Sequence, residues 1–177
     1  MFLVPAVQAG EIPLPSDGRT SFFDGWYLSG TSVSIPSLGE LLVVDAESGQ
    51  ARSVYPGKEQ LRAPAWSPDG TRLAFFRLQG DAWRLVIYEP ASGRAREVRL
   101  RTTKPLASAS PLVWHPDGTR VLVTLRPEGW AQEARSAFLG MTEGPVVVQD
   151  SRDPFLDWDR VRSLDRKHVP ALIALSD

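Results

Sequence analysis

Apolar positions in this chain come in short runs, not in helical stripes. Between Leu61 and Leu100 four runs follow one another: Leu61–Trp66, Thr71–Leu78, Trp83–Glu89 and Arg94–Leu100. Each has the length of a strand, and turn residues separate them, Ser67-Pro68-Asp69-Gly70 after the first and Ala91-Ser92-Gly93 before the last. Pro presets φ at the second turn position, Asp bonds its own backbone, and Gly tolerates positive φ. In the second run Leu73 and Phe75 fall on one face, Ala74 and Phe76 on the other. Val121–Leu125 and Leu85–Tyr88 are likewise apolar on both faces. Such strands must be covered on both sides. With no long helical pattern to do the covering, neighbouring sheets must do it.

The pattern repeats. Pro64-Ala65-Trp66-Ser67-Pro68-Asp69-Gly70-Thr71-Arg72-Leu73-Ala74 returns as Leu112-Val113-Trp114-His115-Pro116-Asp117-Gly118-Thr119-Arg120-Val121-Leu122, offset by 48 residues with six identities. A second element repeats with an offset of 44: Leu41-Leu42-Val43-Val44-Asp45-Ala46-Glu47-Ser48-Gly49 and Leu85-Val86-Ile87-Tyr88-Glu89-Pro90-Ala91-Ser92-Gly93. Four-stranded sheets stacked at a period of about 40–50 residues describe the blades of a β-propeller. The predicted fold is therefore all-β: about three four-stranded antiparallel blades of an incomplete β-propeller.

Trp-Ser-Pro-Asp-Gly followed by a short apolar strand resembles the blade signature of TolB-type propellers, a kind of WD40-like repeat. The same signature occurs in the N-terminal propellers of prolyl oligopeptidase-family serine peptidases. It stands at Trp66–Arg72 and Trp114–Arg120, and the resemblance covers roughly residues 36–150. An earlier, degenerate copy has two possible registers, Asp17-Gly18 before Phe22-Phe23, or Asp24-Gly25. The expected division is 1–56 for a degenerate first blade, 57–104 for the second and 105–150 for the third. Residues 151–177 form a charged inter-blade segment and the start of a further blade. Within it Asp153-Pro154 is suited to cap a short helix carrying Phe155, Trp158 and Val161. Gly144–Asp150 reads as a fourth strand and Pro170–Leu175 as the opening of another unit. Ala131–Ala137 has helical propensity, although its place in the repeat favours a strand.

Composition narrows the function. Twenty Lys and Arg against 21 Asp and Glu give a net charge of −1, which removes the electrostatic case for nucleic acid. Fourteen Gly and 15 Pro exceed the usual share of about 12% and argue for many turns. With no Cys there is no disulfide, thiolate metal site or cysteine nucleophile. No run approaches the ~18 apolar residues of a membrane helix, so no membrane partner is expected. The N-terminus lacks a basic segment and Pro5 interrupts its apolar run. The expectation is a cytoplasmic chain, periplasmic were the N-terminus trimmed. Arg outnumbers Lys 17 to 3 and Asn is absent, a usage that fits a GC-rich coding bias.

Candidate chemistry weighs toward structure at every position. Trp66 and Trp114 read as packing residues between sheets, and Asp69 and Asp117 as caps of their own turns. His115 replaces Ser67 in its turn, and His168 follows Arg166-Lys167 with no second ligand at strand or helix spacing. Asp150, Asp153, Asp157, Asp159 and Asp165 lack the spacing of a calcium loop and interleave with Arg152, Arg160, Arg162 and Arg166. Arg94, Arg96, Arg99, Arg101 and Lys104 form the densest basic stretch. An edge strand charged against aggregation explains it better than an anionic partner surface. No Gly-x-Ser-x-Gly elbow, phosphate loop, dinucleotide fingerprint or zincin motif occurs. No catalytic, cofactor-binding or metal residue is assigned, and no cofactor is expected.

At about 48 residues per blade the chain holds about three blades, whereas closed rings have about four to eight. The expectation is an excerpt of a longer protein whose partners are the remainder of the propeller and an α/β-hydrolase domain. The resemblance to prolyl oligopeptidase-like peptidases implies a propeller that filters peptide access while Ser, Asp and His lie downstream. The charged segment Ser151–His168 looks like inter-blade segments of such peptidases. The other reading is a TolB-like platform that binds a protein partner and has no enzymatic domain.

Overall fold

The computed structural model describes residues 3–4, 39–55, 59–80, 82–142, 163–164 and 166–175. Its elements are β1 (Leu3–Val4), β2 (Glu40–Val44), β3 (Ala51–Ser53), β4 (Leu61–Trp66), β5 (Leu73–Gln79), β6 (Ala82–Glu89), β7 (Arg94–Glu97), β8 (Val113–Trp114), β9 (Arg120–Leu125), α1 (Trp130–Thr142) and β10 (Val169–Ala174). Three antiparallel open sheets result, ordered β1-β2-β3, β4-β5-β6-β7 and β10-β9-β8. The all-β class holds, with one helix added. Among the described residues only the middle sheet has four strands.

The middle sheet follows the pattern of its sequence. β5 buries Leu73 and Phe75 against the first sheet and Ala74 and Phe76 against the third. Two apolar clusters thus lie on either side of one sheet. Leu41, Val54, Val86 and Tyr88 complete the first cluster. Ile87, Leu85, Trp114, Val121, Val123 and Leu125 belong to the second. β4 and β7 are the edges. Pro64 is tolerated in β4 because an edge strand has one row of backbone groups to spare. Next to it the ladder shifts between Arg62 and Ala65, and Ala63 takes φ +50°.

Two expectations are corrected in the third sheet. Residues 130–137 are helical, as the propensities of Ala131, Gln132, Glu133, Ala134 and Arg135 favour. The strand that the repeat would have placed there is β10, which pairs along its whole length with β9, from Val169 opposite Leu125 to Ala174 opposite Arg120. Pro170–Leu175 therefore does not open another unit; it supplies the third strand of this one. Its place beside β9 matches that of β6 beside β5, because Leu122 faces Leu172 as Ala74 faces Ile87. Gly144–Asp150, the Asp153-Pro154 helix and both registers of the early Asp-Gly turn lie outside the described residues. In the first sheet, β1 stands beside β2 where β5 stands beside β6.

Candidate functional site

The repeated motif builds the same turn twice. The Ser67 N–H donates to the Arg72 carbonyl at 2.8 Å, and the His115 N–H to the Arg120 carbonyl at 2.9 Å. The Gly70 and Gly118 N–H groups close the turns onto the Ser67 and His115 carbonyls, both at 2.9 Å. Gly70 and Gly118 have φ of +71° and +69°, where a side chain is strained. The second repeated element behaves alike: Gly49 and Gly93 N–H groups donate to Asp45 and Glu89 carbonyls at 2.9 and 2.8 Å.

The carboxylates serve these turns. Asp69 accepts from the Ser67 hydroxyl and, at 3.1 Å, from the Thr71 N–H. The Ser67 bond chiefly holds its carboxyl below the usual range, at about 2. Asp117 is lowered further, first by the Thr119 N–H at 2.8 Å and then by Arg120, whose Nε donates at 3.0 Å. Asp45 is lowered by the Ser48 N–H at 2.7 Å and the Ser48 hydroxyl at 2.8 Å. Each acid is committed to its own loop, and Asp69 and Asp117 sit on different sheets.

Trp66 and Trp114 pack between sheets. Trp114 is buried in the second cluster and donates its indole N–H to the Ala65 carbonyl of the preceding sheet at 2.9 Å. Trp66 packs against the first cluster. His115 sits half-exposed, its Nδ1 2.9 Å from Asp117 Oδ2, within the turn it belongs to. His168 is exposed just before β10. The five acids Asp150, Asp153, Asp157, Asp159 and Asp165 lie outside the described residues. Arg94 and Arg96 stand on β7, an edge strand, and Arg96 donates to the Leu175 carbonyl of the third sheet at 3.1 Å. Among the described residues no three His, Asp or Glu side chains converge as a metal site requires. No described helix is long and apolar enough to cross a membrane.

Arginine carries the seams, a role that the sequence reading missed. Arg62 lies over Trp83 with 5.1 Å to the ring centroid, Arg72 over Trp114 at 5.3 Å, and Arg77 over Tyr55 at 4.9 Å. Arg126 lies over Trp130 at 4.4 Å. A guanidinium is planar and weakly hydrated, so it stacks on rings while its N–H groups reach carbonyls. Arg62 reaches the Ser108 carbonyl at 3.2 Å and Arg72 the Gly118 carbonyl at 2.7 Å, each from the second sheet to the third unit. The available signal was the Arg excess itself, joined to six Trp.

Arg126 is fully buried at the end of β9 and also contacts the Lys167 carbonyl at 3.4 Å. Its partner Trp130 donates its indole N–H to the Leu164 carbonyl at 2.9 Å, and Trp130, Ala134 and Leu164 form a small cluster of their own. Lys167 adds an ion pair to Glu133 at 3.1 Å. The helix is thus pinned to the segment that leads into β10. Between the first two sheets lies an open cleft of about 630 Å³, walled by Val43, Ser48, Arg52, Trp66 and Tyr88. Arg52 bridges it to the Pro90 carbonyl at 3.2 Å.

No family profile matches the chain. It is 41% identical over 109 residues to the uncharacterized peptidase YuxL of Bacillus subtilis, covering 60% of this chain and 16% of that protein. It is 39% identical over 59 residues to the Tol-Pal system protein TolB of Actinobacillus pleuropneumoniae, covering 33% of this chain and 14% of that one. The chain thus spans about a sixth of the length of these relatives. Among solved structures, TolB of Acinetobacter baumannii overlaps 50% of this chain and 21% of its own, with 18% identity and a TM-score of 0.42. The acylaminoacyl peptidase of Pyrococcus horikoshii overlaps 51% of this chain and 14% of its own, with 19% identity and a TM-score of 0.39. In sequence, the repeated sheets of this chain are TolB-like, with relatives among both peptidases and TolB proteins.

Proposed function

We propose that this chain is a non-catalytic propeller segment that gates access to the hydrolase domain of a prolyl oligopeptidase-like serine peptidase. The observation that carries this reading is the 41% identity over 109 residues to a protein named as a peptidase, a longer match than the 59 to 89 residues shared with TolB proteins. The described side chains are compatible with it. They cap turns and close seams, and acyl transfer would need an activated nucleophile, a base and an oxyanion hole supplied by another part of the protein. A propeller in that position contributes selection by size and no chemistry. Its substrate would be a peptide and its place the cytoplasm. The TolB relatives favour the alternative, a platform that binds a protein partner.

Reading the gene past Asp177 and assaying both products separates the two. The expected outcome is a Gly-x-Ser-x-Gly elbow followed by Asp and then His. The full-length protein should hydrolyse a short chromogenic peptide, and the 177-residue chain should not. Further repeats without such an elbow, and no hydrolysis by the full-length protein, would establish the platform instead.

A further inference from the structure

Edge protection explains only part of the basic stretch Arg94, Arg96, Arg99, Arg101 and Lys104. β7 ends at Glu97, so the first two alone stand on the edge strand. Arg99 and Lys104 lie on the connection from the second sheet to the third, where they line an open cavity of about 440 Å³. Arg84 joins them from β6, and among the described lining residues Glu97 is the one carboxylate. Glu97 lies 3.7 Å from Arg84 Nε. Among the described residues the side chains of Arg99 and Lys104 have no hydrogen bond or ion pair. By contrast, Arg52, Arg62, Arg72 and Arg96 each end on a carbonyl. The connection itself is held in place. The Thr103 hydroxyl donates to Glu128 at 2.9 Å, and the Arg126 N–H donates to the Pro105 carbonyl at 2.8 Å. Like charges are thus kept together on an anchored loop, and an anion between them would relieve their repulsion.

The floor of the cavity selects the kind of anion. Leu85, Val98 and Leu106 are buried there, and Leu100 is partly buried against them. A bare inorganic ion would leave that apolar wall in water. Trp83 also lines the cavity, but it is 4% exposed and Arg62 is stacked on it at 5.1 Å, so it offers no open ring face to a nucleobase. A net charge of −1 supplies no field for a nucleic-acid backbone. We propose that this cavity binds an acidic peptide, holding a Glu or Asp carboxylate between Arg99 and Lys104 and a neighbouring apolar side chain over Leu100 and Pro105. The Arg99 guanidinium gives two parallel N–H donors to the carboxylate, and Lys104 adds a point charge. The inference is about binding by this chain and is independent of whether a hydrolase domain accompanies the sheets.

The test is fluorescence anisotropy of the 177-residue chain with end-blocked nonapeptides carrying a neutral dye, built on the repeat Gly-Leu-Glu or Gly-Leu-Gln. The Glu peptide should bind at least tenfold more tightly than the Gln peptide, and added salt should weaken it severalfold. Arg99→Ala combined with Lys104→Ala should weaken it at least tenfold. Arg94→Ala, which removes an exposed cation from the opposite end of β7, should change it less than twofold. Both cavity positions lie outside the strands, so the double variant should melt with the parent. Arg99→Gln with Lys104→Gln, which keep the apolar stems, repeat the measurement should it not. Equal affinity for the two peptides, or no saturable binding of the Glu peptide up to about 1 mM, would overturn the proposal. So would an equal loss from Arg94→Ala, which would mean a general surface field. Displacement of the peptide by inorganic phosphate at matching concentration would also overturn it, by making this a phosphate site.

Discussion

The second and third sheets join their middle strands in opposite ways. In one, β5 ends at Gln79 and its antiparallel neighbour β6 begins at Ala82; in the other, residues 126–168 intervene between β9 and β10, carrying α1. The register survives the difference. Leu122 opposes Leu172 as Ala74 opposes Ile87, and Ala171 and Ile173 turn inward as Val86 and Tyr88 do. Register in a buried sheet is set by its faces, since a slip of one residue would turn Ala171 and Ile173 out and Leu172 in. The length of the connection does not decide it. What changes is the residue at the exit: Arg126 stands at the repeat position of Leu78, and it is buried against Trp130.

The sharpest way to break this comparison is at that exit. Arg126→Ala should cost about 2–4 kcal/mol, by leaving a cavity and removing a donor from the Lys167 carbonyl. Leu78→Ala, at a partly buried site, should cost less. Urea titration gives both values, and hydrogen exchange should show α1 loosened by the first substitution only. Equal costs with no change at α1 would mean that the excursion does not depend on Arg126.

The turns offer an intermediate test of likeness. Gly70→Val and Gly118→Val should each lose about 1–3 kcal/mol, because a β-branched residue is strained at φ near +70°. A Cβ at Gly118 would stand in ordinary contact with Arg72 Nη2 at 3.5 Å and one at Gly70 would meet open space, so the strain of positive φ should make the two losses similar. Thermal midpoints unmoved by either would dissolve the equivalence of the two turns.

The smallest effect is in acid. Asp69 and Asp117 are depressed in the folded chain, so they add stability that is present above the ordinary carboxyl range near pH 4. For Asp69 that contribution is lost as pH falls from about 4 through about 2; for Asp117 the loss extends lower. Melting curves from pH 5 to 2 should show a decline that Asp69→Asn and Asp117→Asn each blunt. The effect should be modest, because both carboxylates are open to solvent.

The sequence was most legible where the physics is local. The Trp-x-Pro-Asp-Gly turns, the capping roles of Asp69 and Asp117 and the two apolar faces of β5 all follow from residues within a few positions of one another. Legibility failed where the partner is remote. Nothing in Val169–Ala174 says that its partner is Arg120–Leu125, so a fixed period assigned the missing strand to residues 130–137. There, Ala131–Ala137 obeyed helical propensity instead. Arginine was misread for the same reason. A coding bias accounts for its abundance, while stacking on Trp83, Trp114, Tyr55 and Trp130 depends on pairs set by the fold.

Leu125 and Val169 are cross-strand partners, so the chain leaves the third sheet and re-enters it at neighbouring points. Closing such an excursion costs free energy that grows only with the logarithm of its length, about 0.6 kcal/mol for each doubling. The mouth of residues 126–168 is therefore a port. Segments of very different size, even a folded module with adjacent ends, fit there at nearly constant cost, and the strands on either side need not change to admit them.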